Sequence, residues 1–304
     1  MSHNHQKKIA VINDLSGFGR CSIAVALPLI SHLGIQCCPL PTAIFSDHTG
    51  FDSFYVKDFT DSMAPYMAEW KKLDLEFEGI LTGFLGSVRQ IELVEQFLGE
   101  FTTQRTTVIV DPVMGDYGKL YATYTQELCQ GIGRLVQYAD ILTPNLTEAC
   151  ILTGTPYQAH FTEAELLVLA QKLCDQGPEK VVITGVSRGS YLENYCYERD
   201  NGPSVQRTLR IAPQRSGTGD VFSSIVAAGV VQGVPFDQCV RTAAGFIRAC
   251  LKRSSELDIP TTDGVCFEEV IQLLDKVGAL AEADAVLFGV EAAGVSEVRI
   301  ARAL

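Results

Sequence analysis

Short apolar runs alternate with longer amphipathic stretches from the start of the chain: KKIAVIN, CSIAVALPLISHLG, IQCCPLPTAIF, GILTGF, SVRQIELVEQFLGEF and TTVIVDP. Apolar strands separated by helical stretches predict an α/β fold with a mainly parallel central sheet flanked by helices on both faces. The rhythm continues through ADILTPN, TEAELLVLAQKLCDQG and KVVITG, then gives way to two β-like runs around SYLENYCYE and VQRTLRIA. The final third reads as helical, in DVFSSIVAAGVVQG, FDQCVRTAAGFIRACLKRS and CFEEVIQLLDKVG. Boundary residues agree: Gly34 stands just past ISHL, where a helix-ending glycine belongs, and Thr162 with Glu165 forms a capping-box pattern. Pro28 is expected to kink or split the first helix, because it lacks the N–H that the helix ladder needs. No repeat, low-complexity segment or composition break marks a linker, so residues 1–304 are expected to form one domain. Residues 279–304 carry mixed helix and strand signals and are expected to be an extension of unassigned role.

The chain has 304 residues, 47% of them hydrophobic, which is ample for a large core and argues against disorder. Lys+Arg 24 against Asp+Glu 36 gives a net charge of −12, and no stretch gathers basic residues, so nucleic acid is excluded as the expected partner in favour of a small molecule. Ten cysteines fall at irregular places, including the adjacent Cys37 and Cys38, without zinc-site spacing. Reduced, mostly buried thiols are expected. The start of the chain lacks the apolar core of a signal peptide, and no apolar run approaches the roughly 18 residues that span a bilayer. A cytoplasmic protein without membrane partners is therefore expected.

Open α/β sheets bind ligands at the carboxyl ends of their strands, so polar residues that follow apolar β runs carry the candidate chemistry. IAVIN leads into Asp14-Leu15-Ser16-Gly17, VIV into Asp111-Pro112-Val113-Met114-Gly115-Asp116, DIL into Thr143-Pro144-Asn145, and VVI into Thr184. The run RSGTGDVFSS places Gly217, Thr218 and Gly219 directly before Asp220 and an apolar helix. Glycines allow a tight turn and close ligand approach, and free N–H groups at a helix start form an anion site. A carboxylate in the same turn suits phosphoryl transfer to an alcohol, taking the proton of the attacking hydroxyl. Asp220 as a simple helix N-cap accounts for the tetrapeptide equally well. No GxxxxGK[ST] loop occurs.

Asp111, Asp116, Asn145 and Glu148 make a sparse oxygen set after neighbouring strands, which suits Mg²⁺ with ATP, since magnesium keeps water and phosphate as its other ligands. Each also has a structural explanation, Asp111 and Asn145 as turn residues and Glu148 as an acid in a first helical turn. In SDHTGF and its surroundings, Asp14, Ser16, His48, Thr49 and Phe84 are candidates to hydrogen-bond and stack on a flat polar ring, or simply a polar turn. His3 and His5 read as solvated residues.

Together these motifs resemble the pyridoxal kinase branch of the ribokinase-like superfamily, over about residues 7–278. The resemblance rests on IFSDHTGF, LTGF followed by LGS, DPVMGD, TPNLTEA, VVITG and SGTGD. It implies a ribokinase-like kinase without a separate lid domain, usually a homodimer, that uses ATP, Mg²⁺ and K⁺ or Na⁺ to phosphorylate the 5′-hydroxymethyl group of pyridoxal, pyridoxamine or pyridoxine. Carried over by position, Asp220 is the catalytic base and Gly217, Thr218 and Gly219 the anion hole. Asp116 and Glu148 fall at the Mg-phosphate site, with Asn145 and Thr184 as ATP or phosphate contacts. Asp111, Thr143 and Thr184 fall around the monovalent cation, and adenine is expected near 209–213. Asp14, Ser16, His48, Thr49 and Phe84 fall on the substrate side. Two departures stand out: NDLSGFGRCS differs from the usual first loop, and Phe84 stands where many relatives have Tyr. The alternatives are a hydroxymethylpyrimidine kinase of the same fold, against which SDHTGF speaks, and a non-catalytic pyridoxal-phosphate binding protein.

Overall fold

The protein is described by a computed structural model that covers residues 2–211 and 213–276. Among these residues, nine strands join in one sheet and two more form a small hairpin. β1 (Lys8–Phe18), β2 (Gln36–Asp47), β4 (Gly79–Thr82), β5 (Thr107–Val110), β8 (Ile141–Leu142) and β9 (Lys180–Arg188) make the parallel part. Antiparallel strands finish both edges, β3 (Val56–Asp58) beside β2, and β10 (Tyr191–Glu198) with β11 (Gly202–Leu209) beyond β9. β6 (Gly115–Asp116) and β7 (Lys119–Leu120) are the hairpin.

Strand alternation divides the core in two. Ala10 and Ile12 of β1 join one apolar cluster with Met63, Phe97, Leu128 and Leu166, and Ile9 and Val11 join the other with Leu29, Val226 and Phe246. The first cluster carries α2 (Thr60–Lys72), α3 (Val88–Phe101), α4 (Gln126–Leu135), α5 (Leu146–Thr153) and α6 (Glu163–Cys174), and the second carries α1 (Ser22–His32), α7 (Thr218–Gln232) and α8 (Phe236–Glu256). Burying each large apolar side chain contributes about 1.5–3 kcal/mol. α7 is apolar nearly all round because it packs against β4 and β5 below and α1 and α8 beside it.

Three sequence expectations are corrected, and the one on the cysteines holds. Pro28 does not split α1, which runs unbroken from Ser22 to His32. The segment Asp14–Phe18 is not a loop but the continuation of β1, paired with Ile44–Asp47 after a register shift between Asn13 and Leu15. The run CFEEVIQLLDKVG gives turns and a 3₁₀ segment, Ile271–Lys276, in place of an α-helix, held by short bonds such as Val270 N–H to Phe267 O at 3.1 Å. All ten cysteines are free thiols, and nine are buried. Residues 279–304 lie outside the described residues, as does position 212 within the adenine segment. Among the described residues, no helix is long and apolar enough to cross a membrane.

Candidate active site

β8, β5 and β4 end side by side, so Thr143, Asp111 and Gly83 follow one another along one edge of the sheet, and Asp14 lies in the neighbouring β1 just past its last pairing with β4, Ile12 with Thr82. The start of α7 faces this edge. Its N-cap is Gly217, with φ +82°, and a Cβ there would come 1.9 Å from the carbonyl oxygen of Arg20. Only glycine permits that turn. Asp220 is therefore the third residue of the helix and not its cap, which leaves the helix dipole as the structural explanation for this carboxylate. The N–H groups of Thr218, Gly219 and Asp220 belong to the first turn, where no helical partner exists. Two clamps hold the loop in front: Arg215 is buried and donates to the carbonyls of Ile259 and Pro260 at 2.6 and 2.8 Å, and Ser216 Oγ lies 3.1 Å from His48 Nε2.

Asp220 Oδ1 accepts a hydrogen bond from Asn13 Nδ2 at 3.3 Å. Burial pushes its carboxyl up to about 6, with Asp14 adding repulsion and hydrogen bonds from Ser22 N–H and Asn13 opposing the rise. A helix start favours a negative charge, but here removal from water is the larger effect. Asp111 is likewise raised by burial and by Asp220, and Glu148 by burial and by Asp111. Burial also raises Asp116, a further source of repulsion for Glu148. These acids thus form an electrostatically linked line along the sheet edge. Among the described residues, no three His, Cys, Asp or Glu side chains converge to hold a metal ion.

The acid end is tightly built. Asn145 caps α5 and Glu148 completes a capping box: Asn145 Oδ1 accepts from Glu148 N–H at 3.0 Å, and Glu148 Oε2 accepts from Asn145 N–H at 2.8 Å. Glu148 Oε1 accepts from Met114 N–H at 3.1 Å, and Asn145 Nδ2 donates to Gly115 O at 2.8 Å. The expected phosphate and metal residues therefore also fasten the DPVMGD turn to α5. Asp116 is half-buried and its Oδ1 accepts from Tyr117 N–H at 2.8 Å. Thr184 bridges to Asn145 through the backbone, and its hydroxyl reaches Pro144 O at 3.4 Å. The Thr143 hydroxyl is buried without a hydrogen-bond partner, an oxygen donor suited to a monovalent cation.

At the other end, Asp14 is buried and accepts from Ser22 Oγ at 2.5 Å and Ser16 Oγ at 3.1 Å. Ser22 reaches it from a left-handed backbone, φ +55°, a conformation that non-glycine residues rarely hold. Burial still raises the Asp14 carboxyl above its ordinary value. Phe84 is half-buried between Phe45 and Tyr124, with ring centroids 5.9 and 6.0 Å away. Thr49 is exposed on the SDHTGF loop. His48 turns toward the anion loop, with Nε2 2.6 Å from Thr262 O, so it braces the two loops together. Asn13 is the residue that sequence reasoning missed. It ends the run IAVIN, and weighing every polar residue at that strand end would have included it.

The phosphomethylpyrimidine kinase family pattern matches residues 29–263. The chain belongs to that family. A Bacteroides thetaiotaomicron structure solved with pyridoxal, described as a candidate phosphomethylpyrimidine kinase, is 37% identical and superposes with a TM-score of 0.86, covering 89% of this chain and 96% of the other. The pyridoxal kinase of Lactobacillus plantarum is 27% identical with a TM-score of 0.82, over 91% of this chain and 99% of its own. A pyridoxal kinase of Arabidopsis thaliana is 29% identical over 73% of this chain and 74% of its length. The protein is thus a ribokinase-like enzyme of pyridoxal kinase type, a kinase acting on an alcohol group.

Proposed function

We propose that the protein transfers the γ-phosphoryl group of ATP to the 5′-hydroxymethyl group of a vitamin B6 vitamer, giving the 5′-phosphate and ADP. The observation that carries this reading is the placement of Asp220. It stands in the first turn of α7, beside free N–H groups, and is hydrogen-bonded to the strand that leads into the substrate side. In this reading Asp220 takes the proton as the hydroxymethyl oxygen attacks phosphorus and the bond to ADP breaks. The N–H groups of Thr218 and Gly219 meet the charge on the phosphoryl oxygens. Phe84, Thr49, Asp14 and Ser16 form the ring side, and Asn145 and Thr184 the phosphate side.

Asp116 and Glu148 offer hard oxygen donors that fit Mg²⁺, and Asp111, Thr143 and Thr184 fit K⁺ or Na⁺, with the unpartnered Thr143 hydroxyl as the observation in favour. Bound Mg²⁺ supplies neutralisation of phosphate charge. We also propose that adenine binds near 209–213 and that the active form is a homodimer in the cytoplasm.

A second reading, phosphorylation of hydroxymethylpyrimidine, has the matched family in its favour. The SDHTGF loop favours the vitamer. ATP consumption measured with Mg²⁺ and K⁺ against pyridoxal, pyridoxamine, pyridoxine and hydroxymethylpyrimidine separates the two. The highest kcat/KM is expected on a vitamer, and turnover confined to the pyrimidine would replace the first reading by the second.

A further inference from the structure

We propose that Asn13 is a positioning residue, one that fixes the Asp220 carboxylate and ties it to the ring side of the site through Phe84. The inference rests on the reading of Asp220 as base. The direction of the Asn13 amide follows from its neighbours. Its Oδ1 faces two backbone donors, the N–H of Asp14 at 2.9 Å and the N–H of Phe84 at 2.8 Å. An oxygen is required there, so the amide nitrogen must be the atom that meets Asp220 Oδ1 at 3.3 Å. The side chain is only 6% exposed, and its bonds run to three separate elements: β1, the turn after β4, and the first turn of α7.

Two further features make sense in this light. The Asp14 N–H is drawn to the Asn13 side chain at the point where the β1–β2 register shifts, between Asn13 and Leu15. Bulges of this kind re-aim side chains beside active sites. Gly83 holds an ordinary backbone conformation, yet a Cβ on it would lie 2.3 Å from Asn13 Nδ2. The glycine leaves room for the amide, not for an unusual turn. Base and aromatic wall therefore share one anchor, so a shift of Asn13 moves the proton acceptor relative to the acceptor hydroxyl.

The test is a double-variant cycle of Asn13→Asp with Asp220→Asn, read by chemical denaturation and by kinetics. Asn13→Asp keeps the two backbone bonds but sets a second carboxylate against Asp220. It is expected to raise the unfolding equilibrium constant about tenfold or more. In the double variant the hydrogen bond returns with donor and acceptor exchanged, and most of that loss is expected to vanish. On the turned-over substrate, Asn13→Asp is expected to lower kcat about 10- to 100-fold while KM for ATP stays within about twofold. Gly83→Ala, which displaces the amide without changing its charge, is expected to lower kcat in the same direction. Strictly additive destabilisation in the cycle would overturn the Asn13–Asp220 bond, and unchanged kcat in both Asn13→Asp and Gly83→Ala would overturn its role in positioning. Denaturation needs no substrate, so a wild-type protein inert on every vitamer would remove the vitamer reading while the cycle still decides the bond.

Discussion

At the β5–β8 end of the site, both oxygens of Glu148 accept backbone N–H groups and the Asn145 amide is bonded through both its oxygen and its nitrogen, whereas at the β1–β2 end Thr49 stands exposed on a loop braced by His48. The fold's own hydrogen bonds assemble the Glu148–Asn145 part of the acid end, while the buried Thr143 hydroxyl beside it is left without a partner. The ring end keeps open donors on a loop. Such a division suits a kinase in which the phosphate-handling part stays constant while selectivity among acceptors is adjusted nearby. Asp220 lies between the two, tied to α7 by the chain and to the ring side by Asn13.

The largest effect is expected where the two ends meet. Asp220→Asn keeps an acceptor for Asn13 but removes the proposed base, and kcat should fall about 10²- to 10⁴-fold with vitamer binding retained in calorimetry. Undiminished turnover would detach the base from this position. Gly217→Ala should cost about 3 kcal/mol or more in denaturation, because left-handed φ and the Arg20 carbonyl both oppose a Cβ. Next in size, Glu148→Gln turns an amide NH₂ toward a backbone N–H and should cost about 1–2 kcal/mol. The same variant should need more Mg²⁺ for half-maximal rate, and an unchanged Mg²⁺ dependence would confine Glu148 to its capping role. Phe84→Tyr should act least, changing the ratio of kcat/KM among the three vitamers by less than about tenfold with little change in stability. If instead the acid-end variants changed vitamer preference more than Phe84→Tyr did, the division of labour would be wrong.

Much of the architecture was legible because buried parallel strands leave uninterrupted apolar runs, as in IAVI, VVI and TVIV. The capping residues Thr162 and Glu165 were equally readable, since their chemistry is local. What sequence could not reveal depended on partners far along the chain. The function of Asn13 is set by Gly83, Phe84 and Asp220, and that of His48 by Ser216 and Thr262. The periodicity of CFEEVIQLLDKVG pointed to an α-helix, but its described part, up to residue 276, settles into turns and a 3₁₀ segment. The N-cap reading of Asp220 stayed open in the sequence until the cap was seen to be Gly217.

The most direct measurement is the pH dependence of kcat/KM for the preferred vitamer, taken for the wild-type protein and Asp220→Asn together. Because burial raises the Asp220 carboxyl to about 6, its base form is depleted as pH falls through that value. The wild-type profile is predicted to drop with unit slope below about 6, and the small residual rate of the variant to lack that limb. The same acid limb in both proteins would assign it to another group and contradict Asp220 as the base.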